Sequence, residues 1–516
     1  MSAVAVPSTK PGRASGAGAS YVRGSTLIFV GKTLSQAVEF GLQIFLVRFF
    51  SKSDFGAVAY ALSIVFLLRA VALFEMPLAL SRFIPAYRHR DRSDLVLGSI
   101  GLGLALVAVL GTVIAGATAL SLGVFGLHPT SSHEALRVLL VLVALVPIDA
   151  LDILVTTLFA TLVGAKQIFI RQGIVGPALR LALVGAVVFA HAGVLAFAAG
   201  YVASSAATLV VYGTIFVRTL RGDGLLSSVA LRKVEFPARE TLLFAAPLLA
   251  STLVWVLLDS SDAVMLGFFR GVDEVANFRA VVPLAIANQG VMLAFTVLYS
   301  PTLARHVARG EWDEIVDLYW RSALWVMLAS FPLFVLTFSF APVTTSAVLG
   351  SSYGGSSTIL AILSLGYFFH VALGFNGLTL RVLGKVRYSV AIDFGAAIFN
   401  IGINLVLIPI WGALGAAAGT AGTLIVHNLL KQFGLWYYGG VPPFAAGFRA
   451  PYVLVAVVSG ALAGAAVVLP RGVWFAALCA AAAGVGVAWL NRDRLGLGAI
   501  FPELARWPLI GRMATP

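Results

Sequence analysis

Charge is scarce in this sequence. Only 11% of its 516 residues are Asp, Glu, Lys or Arg, against roughly 25% in soluble domains. A chain so poor in charge cannot cover itself with water-facing side chains, which excludes an ordinary soluble enzyme. Cysteine is almost absent. Cys479 is the single thiol, so no intramolecular disulfide forms, no Cys/His cluster offers a zinc site, and the residue reads as a small member of an apolar helix. Acidic residues number 22 against 35 basic ones, for a formal net charge of +13. The basic residues are scattered through short loops between apolar runs, so no duplex-sized patch arises and nucleic acid is not an expected partner. Catalytic signatures are missing as well. Gly350-Ser-Ser-Tyr-Gly354 matches G-x-S-x-G, but it lies in a Gly/Ser loop with no strand before it, and a nucleophile elbow needs a strand-to-helix turn. There is no P-loop and no HExxH pair. No enzyme and no bound cofactor are expected.

What the sequence has instead is apolar length. Sixty per cent of the residues are hydrophobic and the mean hydropathy is +0.97. Runs of about 20 apolar residues, each long enough to cross a hydrocarbon core, recur from residue 25 to residue 490. They predict an all-α polytopic membrane protein with about fourteen transmembrane helices, near 25–47, 55–79, 95–119, 136–160, 172–190, 194–217, 241–266, 279–300, 320–341, 358–379, 386–410, 412–436, 451–469 and 472–490. With the N terminus inside, 26 of the 35 Lys and Arg are counted to cytoplasmic segments and 6 to outer loops, Arg279 among them. This bias places both termini in the cytoplasm of a multi-pass protein of the cell (cytoplasmic) membrane. Residues 1–22, rich in Ala, Ser, Gly and Pro, read as a flexible cytoplasmic tail. The polar stretch 218–240 reads as a linker between an N-lobe (23–217, helices 1–6) and a C-lobe (241–440, helices 7–12), followed by two extra helices (441–490) and a cytoplasmic tail (491–516).

The two lobes carry a repeat. Phe49-Phe50 matches Phe268-Phe269, Asp54 matches Asp273, Lys166 matches Lys385, and Gly193–Gly200 matches Gly412–Gly419, always at the offset 412 − 193 = 219. Six spans are an even number, so both copies share one topology. Parallel repeats of this kind place a substrate site between the halves. The expectation is two pseudo-symmetric six-helix lobes around a central cavity. Gly412, Gly415, Gly419 and Gly422 mark a small-residue face for close helix packing.

Polar residues at bilayer depth are costly, about 2.5–3.5 kcal/mol per charge on insertion scales, and usually face a partner or water. In the first span Lys32, Gln36, Glu39 and Gln43 follow a 4-3-4 spacing and share one helix face. Arg69 and Arg180 are isolated cations in the second and fifth spans. Trp255 in the seventh span and Asn400 and Asn404 in the eleventh complete the candidate substrate-cavity set. Glu39, Asp149, Asp152, Asp259, Asp262 and Asp393 are candidates for proton or sodium coupling. The bland alternatives stay open: Asn400 and Asn404 as interhelical hydrogen bonds, Lys32–Glu39 as a packing ion pair, Asp259 and Asp262 as solvated rim residues.

Several stretches resemble a known family. Residues 46–65 (LVRFFSKSDFGAVAYALSIV) look like its outer loop after the first span, and 244–269 (FAAPLLASTLVWVLLDSSDAVMLGFF) like its seventh span, a Pro-containing helix ending in an Asp. Residues 348–368 and 407–422 resemble two further recurring segments. Together they are similar to the polysaccharide or oligosaccharide flippases of the multidrug/oligosaccharidyl-lipid/polysaccharide (MOP) exporter superfamily, over roughly residues 23–440. The resemblance implies alternating-access translocation of a polyprenyl-pyrophosphate-linked oligosaccharide among membrane lipids, in company with a polysaccharide polymerase and glycosyltransferases. It transfers no catalytic motif. Two other functions remain: a MATE-like cation-coupled multidrug antiporter, with an acidic cavity and few internal cations, and a non-transporting scaffold of a polysaccharide assembly complex, whose first-span stripe packs dry.

Overall fold

The computed structural model describes residues 34–123, 132–162, 175–222, 234–443, 445–468 and 472–495, and among them it contains helices and no strands. Ten helices are long and apolar enough to cross a membrane, or eleven if the bent pair Val272–Leu293 and Leu298–Arg309 counts as one. Gly176–Val187 and Arg449–Ala465 are shorter apolar helices. A further helix covers 34–49, from the first described residue onward. Over their described residues the expected spans fall on helices, with 25–33, 172–174 and 469 lying outside the described residues, and ten or eleven helices have spanning length.

Local chemistry sets the helix boundaries. Ser51 starts the helix Lys52–Leu73: its Oγ accepts from the Asp54 amide at 3.1 Å and donates to Asp54 Oδ2 at 2.8 Å, so an orphan amide of the first turn is satisfied locally. Phe74 and Glu75 then interrupt the chain with φ of 45° and 52°, a left-handed conformation costing roughly 1–2 kcal/mol per non-glycine residue. Met76–His89 resumes with Pro77 in its first turn, where the missing N–H costs nothing. Pro332 lies inside Trp312–Phe334, and the chain widens into a π-turn at Val335–Ser339 just after it, a usual response to a lost helical donor.

The repeat is visible in these boundaries. Helices begin at Ser93 and Trp312, and at Val194 and Ala413, each pair at the same 219-residue offset (312 − 93 and 413 − 194). The interruption after Leu73 has a counterpart too: the chain bends by 48° between Leu293 and Leu298.

The chain forms two compact units. Among the described residues, unit 1 holds 34–49, 65–123, 137–162, 175–222 and 234–253, and unit 2 holds 50–64, 132–136, 254–443, 445–468 and 472–495. In unit 1, Phe159 packs edge-on against Tyr212 and Phe216. Gly111 lies against Pro147 so closely that a Cβ there would sit 2.7 Å from its Cα. Residues 235 and 240 are tied into this unit, because Arg92 bonds Glu235 at 2.8 Å and the Tyr87 hydroxyl donates to Glu240 at 3.0 Å. In unit 2, the buried side chains of Met327, Phe331 and Phe334 meet Phe368, Val455, Ala480 and Val487. The two late helices, Arg449–Ala465 and Val473–Leu490, are thus packed on the helix around Pro332.

Of the four glycines expected on one packing face, Gly415 and Gly419 have that role. A Cβ on Gly415 would lie 2.2 Å from the Leu407 carbonyl oxygen, and one on Gly419 would lie 2.0 Å from Asn404 Oδ1. Gly412 is instead the turn between the two helices, at φ 58°, and Gly422 faces open space.

Candidate functional site

Each unit encloses a polar cavity. The cavity of unit 1 is about 590 Å³. Gln36 and Glu39 reach it from one face of the 34–49 helix, as their three-residue spacing requires. Asp149, Asp152 and Thr156, spaced by three and four, line it from Leu145–Leu162. Pro177 opens the helix Gly176–Phe189 and places Arg180 one turn later on the wall. Ser204, Ser205 and Thr208 of Val194–Gly222 complete it.

The charges of this cavity are paired. Arg180 Nη1 lies 2.5 Å from Glu39 Oε1, and the guanidinium sits over the Tyr201 ring at 5.8 Å. Arg69 does not line the cavity, but its Nη1 lies 3.8 Å from Asp149 Oδ2, with Phe66 beneath the guanidinium. The Glu39–Arg180 pair is half exposed, at 50% and 39% of the side chains. The wall itself carries three carboxylates and one guanidinium among the described residues. Lys32 lies outside the described residues, and Gln43 is not among the lining residues.

The cavity of unit 2 that occupies the equivalent place in the repeat is about 350 Å³. Trp255, Asp259 and Asp262 enter from Ala238–Phe269, Asn400 from Val386–Trp411, and Thr420, Thr423 and His427 from Ala413–Gly439. Asp262 is only 2% exposed. It accepts from Asn404 Nδ2 at 2.5 Å and from Thr420 Oγ1 at 2.6 Å. Asn400 donates to Thr423 at 3.3 Å, and the buried Oδ1 atoms of Asn400 and Asn404 have no hydrogen-bond partner. Asp262 is thus a buried residue and not a solvated rim position, whereas Asp259 is exposed.

The repeat governs where these cavities lie. Gln36 and Trp255, Glu39 and Leu258, Pro177 and Ala396, Ser204 and Thr423, Ser205 and Leu424, and Thr208 and His427 all pair at the offset of 219 and all line their respective cavities. The positions are duplicated and the side chains are not.

Arg279, counted as a loop cation in the sequence, and Lys431, near the end of the expected span 412–436, both belong to this architecture. Arg279 lines the unit 2 cavity and donates to the Asp259 carbonyl at 2.9 Å and to Ser63 Oγ at 3.1 Å. Lys431 is buried inside Ala413–Gly439, and its Nζ lies 2.7 Å from Asp393 Oδ1. His427 Nε2 lies 2.7 Å from the same oxygen. Beside this triad, Asn428 Oδ1 meets His370 Nδ1 at 2.9 Å and Asn376 Nδ2 at 3.2 Å. The i,i+4 spacing of His427 and Lys431 was the available signal for a shared face. A lysine near the polar end of a span otherwise reads as a flanking charge. Asp393 is therefore not a cavity-lining carboxylate but one member of a buried ion cluster.

Comparison with known proteins shows the same architecture elsewhere. Residues 21–306 match the model of the family described as polysaccharide biosynthesis protein. An uncharacterized membrane protein of Methanocaldococcus jannaschii is 21% identical over 451 residues, 81% of this chain and 83% of the relative. The lipid II flippase MurJ in an inward closed conformation superposes with a TM-score of 0.65 at 13% identity, covering 94% of this chain and 100% of that one. An inward-facing multidrug resistance MATE family transporter of the MOP superfamily gives 0.63 at 14% identity, over 81% and 100%.

Proposed function

The chain belongs to the polysaccharide biosynthesis protein family, within the MOP exporter superfamily, and from that premise we propose that it is a flippase for a polyprenyl-pyrophosphate-linked oligosaccharide. In this reading it lies in the cytoplasmic membrane with both termini inside, and works beside a polymerase and glycosyltransferases. The observation that carries the reading is a polar cavity inside an apolar helical unit, with two guanidinium groups at or behind its wall. A flippase makes and breaks no bonds. It must shelter a hydrated, anionic headgroup while the lipid tail stays in hydrocarbon. Ser204, Ser205, Thr156, Thr208 and Gln36 offer hydrogen bonds to sugar hydroxyls, and Arg180 offers a planar fork to phosphate oxygens. An inside-negative potential assists export of an anion by about 2.3 kcal/mol per charge per 100 mV.

Ion coupling fits unit 2. Asp262 with the unpartnered Asn400 and Asn404 amide oxygens and Thr420 is a set of oxygen donors suited to a hard monovalent cation or a proton.

A direct test is translocation of a lipid-linked sugar in proteoliposomes. Arg180→Gln and Arg69→Gln should each lower the rate by roughly tenfold or more, since a charge-assisted hydrogen bond contributes roughly 1.5–3 kcal/mol. Normal transport by both variants refutes the cationic contact. A second reading, a MATE-like antiporter for cationic compounds, is favoured by the excess of carboxylates on the unit 1 wall, and it predicts that drug resistance follows expression. The scaffold reading required a dry first-span face, and the polar cavity at Gln36 and Glu39 speaks against it.

A further inference from the structure

Unit 2 holds a further cavity, of about 750 Å³, where the two late helices meet. It lies between the start of Arg449–Ala465 and the end of Val473–Leu490, beside the short turn Arg492–Leu495. The start of one helix and the end of the other therefore share one membrane surface. Arg449 and Arg494 line the cavity at these ends, and Val453, Leu454, Val457 and Leu490 form its apolar walls.

Both arginines are anchored on one helix, Trp312–Phe334. Phe448, the residue before Arg449, stacks on Trp320 with ring centroids 6.3 Å apart. The Leu495 carbonyl, next to Arg494, accepts from Trp325 Nε1 at 3.1 Å. The backbone at each arginine is thus pinned while the guanidinium group is exposed. Among the described residues neither guanidinium has an ion-pair partner. Asp493 also lines the cavity, but its carboxylate lies 3.7 Å from Arg492, whose guanidinium covers the Trp489 ring at 4.8 Å. We propose that this cavity binds an anionic glycerophospholipid: Arg449 and Arg494 hold its phosphodiester, and an acyl chain lies along Val453 and Val457.

Charge, depth and polarity select this occupant. Two guanidinium groups against one carboxylate leave the wall net positive, and phosphate oxygens accept from more than one guanidinium donor. From Arg449 to Val457 the helix rises about 12 Å, within the roughly 15 Å of hydrocarbon in one leaflet. The remaining lining residues are alanine, valine and leucine, with Asn491, whose Nδ2 is committed to the Val487 carbonyl at 2.8 Å. A sugar headgroup meets no hydroxyl on this wall, in contrast to the serines and threonines of the unit 1 cavity. The cavity is therefore suited to a resident lipid and not to the cargo. In the proposed topology this end faces the cytoplasm, and anionic lipids of the inner leaflet bind in basic recesses between helices. One lipid then ties the ends of the two late helices together.

The test is native mass spectrometry of the full chain in detergent, titrated with dioleoylphosphatidylglycerol and, as the zwitterionic reference, dioleoylphosphatidylcholine. Wild type should retain the first lipid at markedly lower concentration than the second. Arg449→Gln and Arg494→Gln should each weaken phosphatidylglycerol binding about fivefold, and the double variant about 30-fold, with phosphatidylcholine unaffected. Arg88→Gln, which changes an exposed arginine on another helix, should bind as wild type does. Val453→Trp keeps both arginines and fills the apolar wall, so it too should weaken binding. Equal retention of the two lipids by wild type, or undiminished phosphatidylglycerol binding by the double variant, overturns the proposal. Competition by glycerol 3-phosphate at equal concentration overturns it as well, because the site then takes a free phosphate. Displacement by farnesyl pyrophosphate at lower concentration assigns the cavity to the cargo, which overturns the resident lipid and leaves the flippase reading standing.

Discussion

Both units join a carboxylate to basic side chains, and the two arrangements do opposite things. In unit 1, Glu39–Arg180 faces a cavity and is half exposed. In unit 2, Asp393, His427 and Lys431 are 10%, 8% and 6% exposed at the side chain, and the carboxylate accepts from both partners at 2.7 Å. The first arrangement is exchangeable, because water or a ligand can replace either partner with little loss. The second is fixed, because Asp393 and Lys431 are buried against each other and His427. A charged residue at bilayer depth is thus not a single kind of evidence: its exposure decides whether it handles cargo or holds helices together.

The largest effect should come from the fixed cluster. Lys431→Met leaves Asp393 buried with His427 as its remaining partner in the cluster, and breaking a buried pair costs about 3–5 kcal/mol. Thermal unfolding of the purified protein should show a large drop in midpoint, with partial recovery in Asp393→Asn/Lys431→Met. A midpoint unchanged by Lys431→Met would erase the distinction between the units. Gly419→Ala should come next. Its Cβ would stand 2.0 Å from Asn404 Oδ1, so the helices must separate or Asn404 must turn away from Asp262, at a cost of about 1–3 kcal/mol for overpacking. Any sodium-induced rise in the midpoint should weaken with it, which sharpens the assignment of unit 2 to the coupling ion. The smallest effect belongs to Glu39→Gln, within about 1 kcal/mol of wild type in stability because the pair is exposed. A loss comparable to that of Lys431→Met would show that Glu39 is a packing residue.

Much of the fold was legible in the sequence because bilayer thickness and hydropathy fix helices by length alone. The repeat was legible for another reason: one offset ran from Phe49-Phe50 to Gly193–Gly200, and the structure carries that offset into helix starts and cavity walls. Glu39 and Gln36 were found by helical spacing, and so were Asp149 and Asp152, since residues three and four apart share a face. Spacing cannot tell which faces meet. That Arg180 reaches Glu39, or that Lys431 reaches Asp393, depends on pairings across 141 and 38 positions (180 − 39 and 431 − 393). Lys431 was hidden because a cation near the end of a span looks like a flank. Arg279 was hidden because Val272–Arg279 continues as helix where a loop was expected.

The interrupted helix after Leu73 and the 48° bend between Leu293 and Leu298 fall almost one repeat length apart. Their residues are unrelated: Phe74, Glu75 and Pro77 at the first, a proline-free stretch from Leu293 to Leu298 at the second. Equivalent places in the two copies thus leave the straight helix by different means, a left-handed backbone at Phe74 and Glu75 and a bend of 48° between Leu293 and Leu298, so the position of the break along the repeat, and not one residue type, is what the copies share.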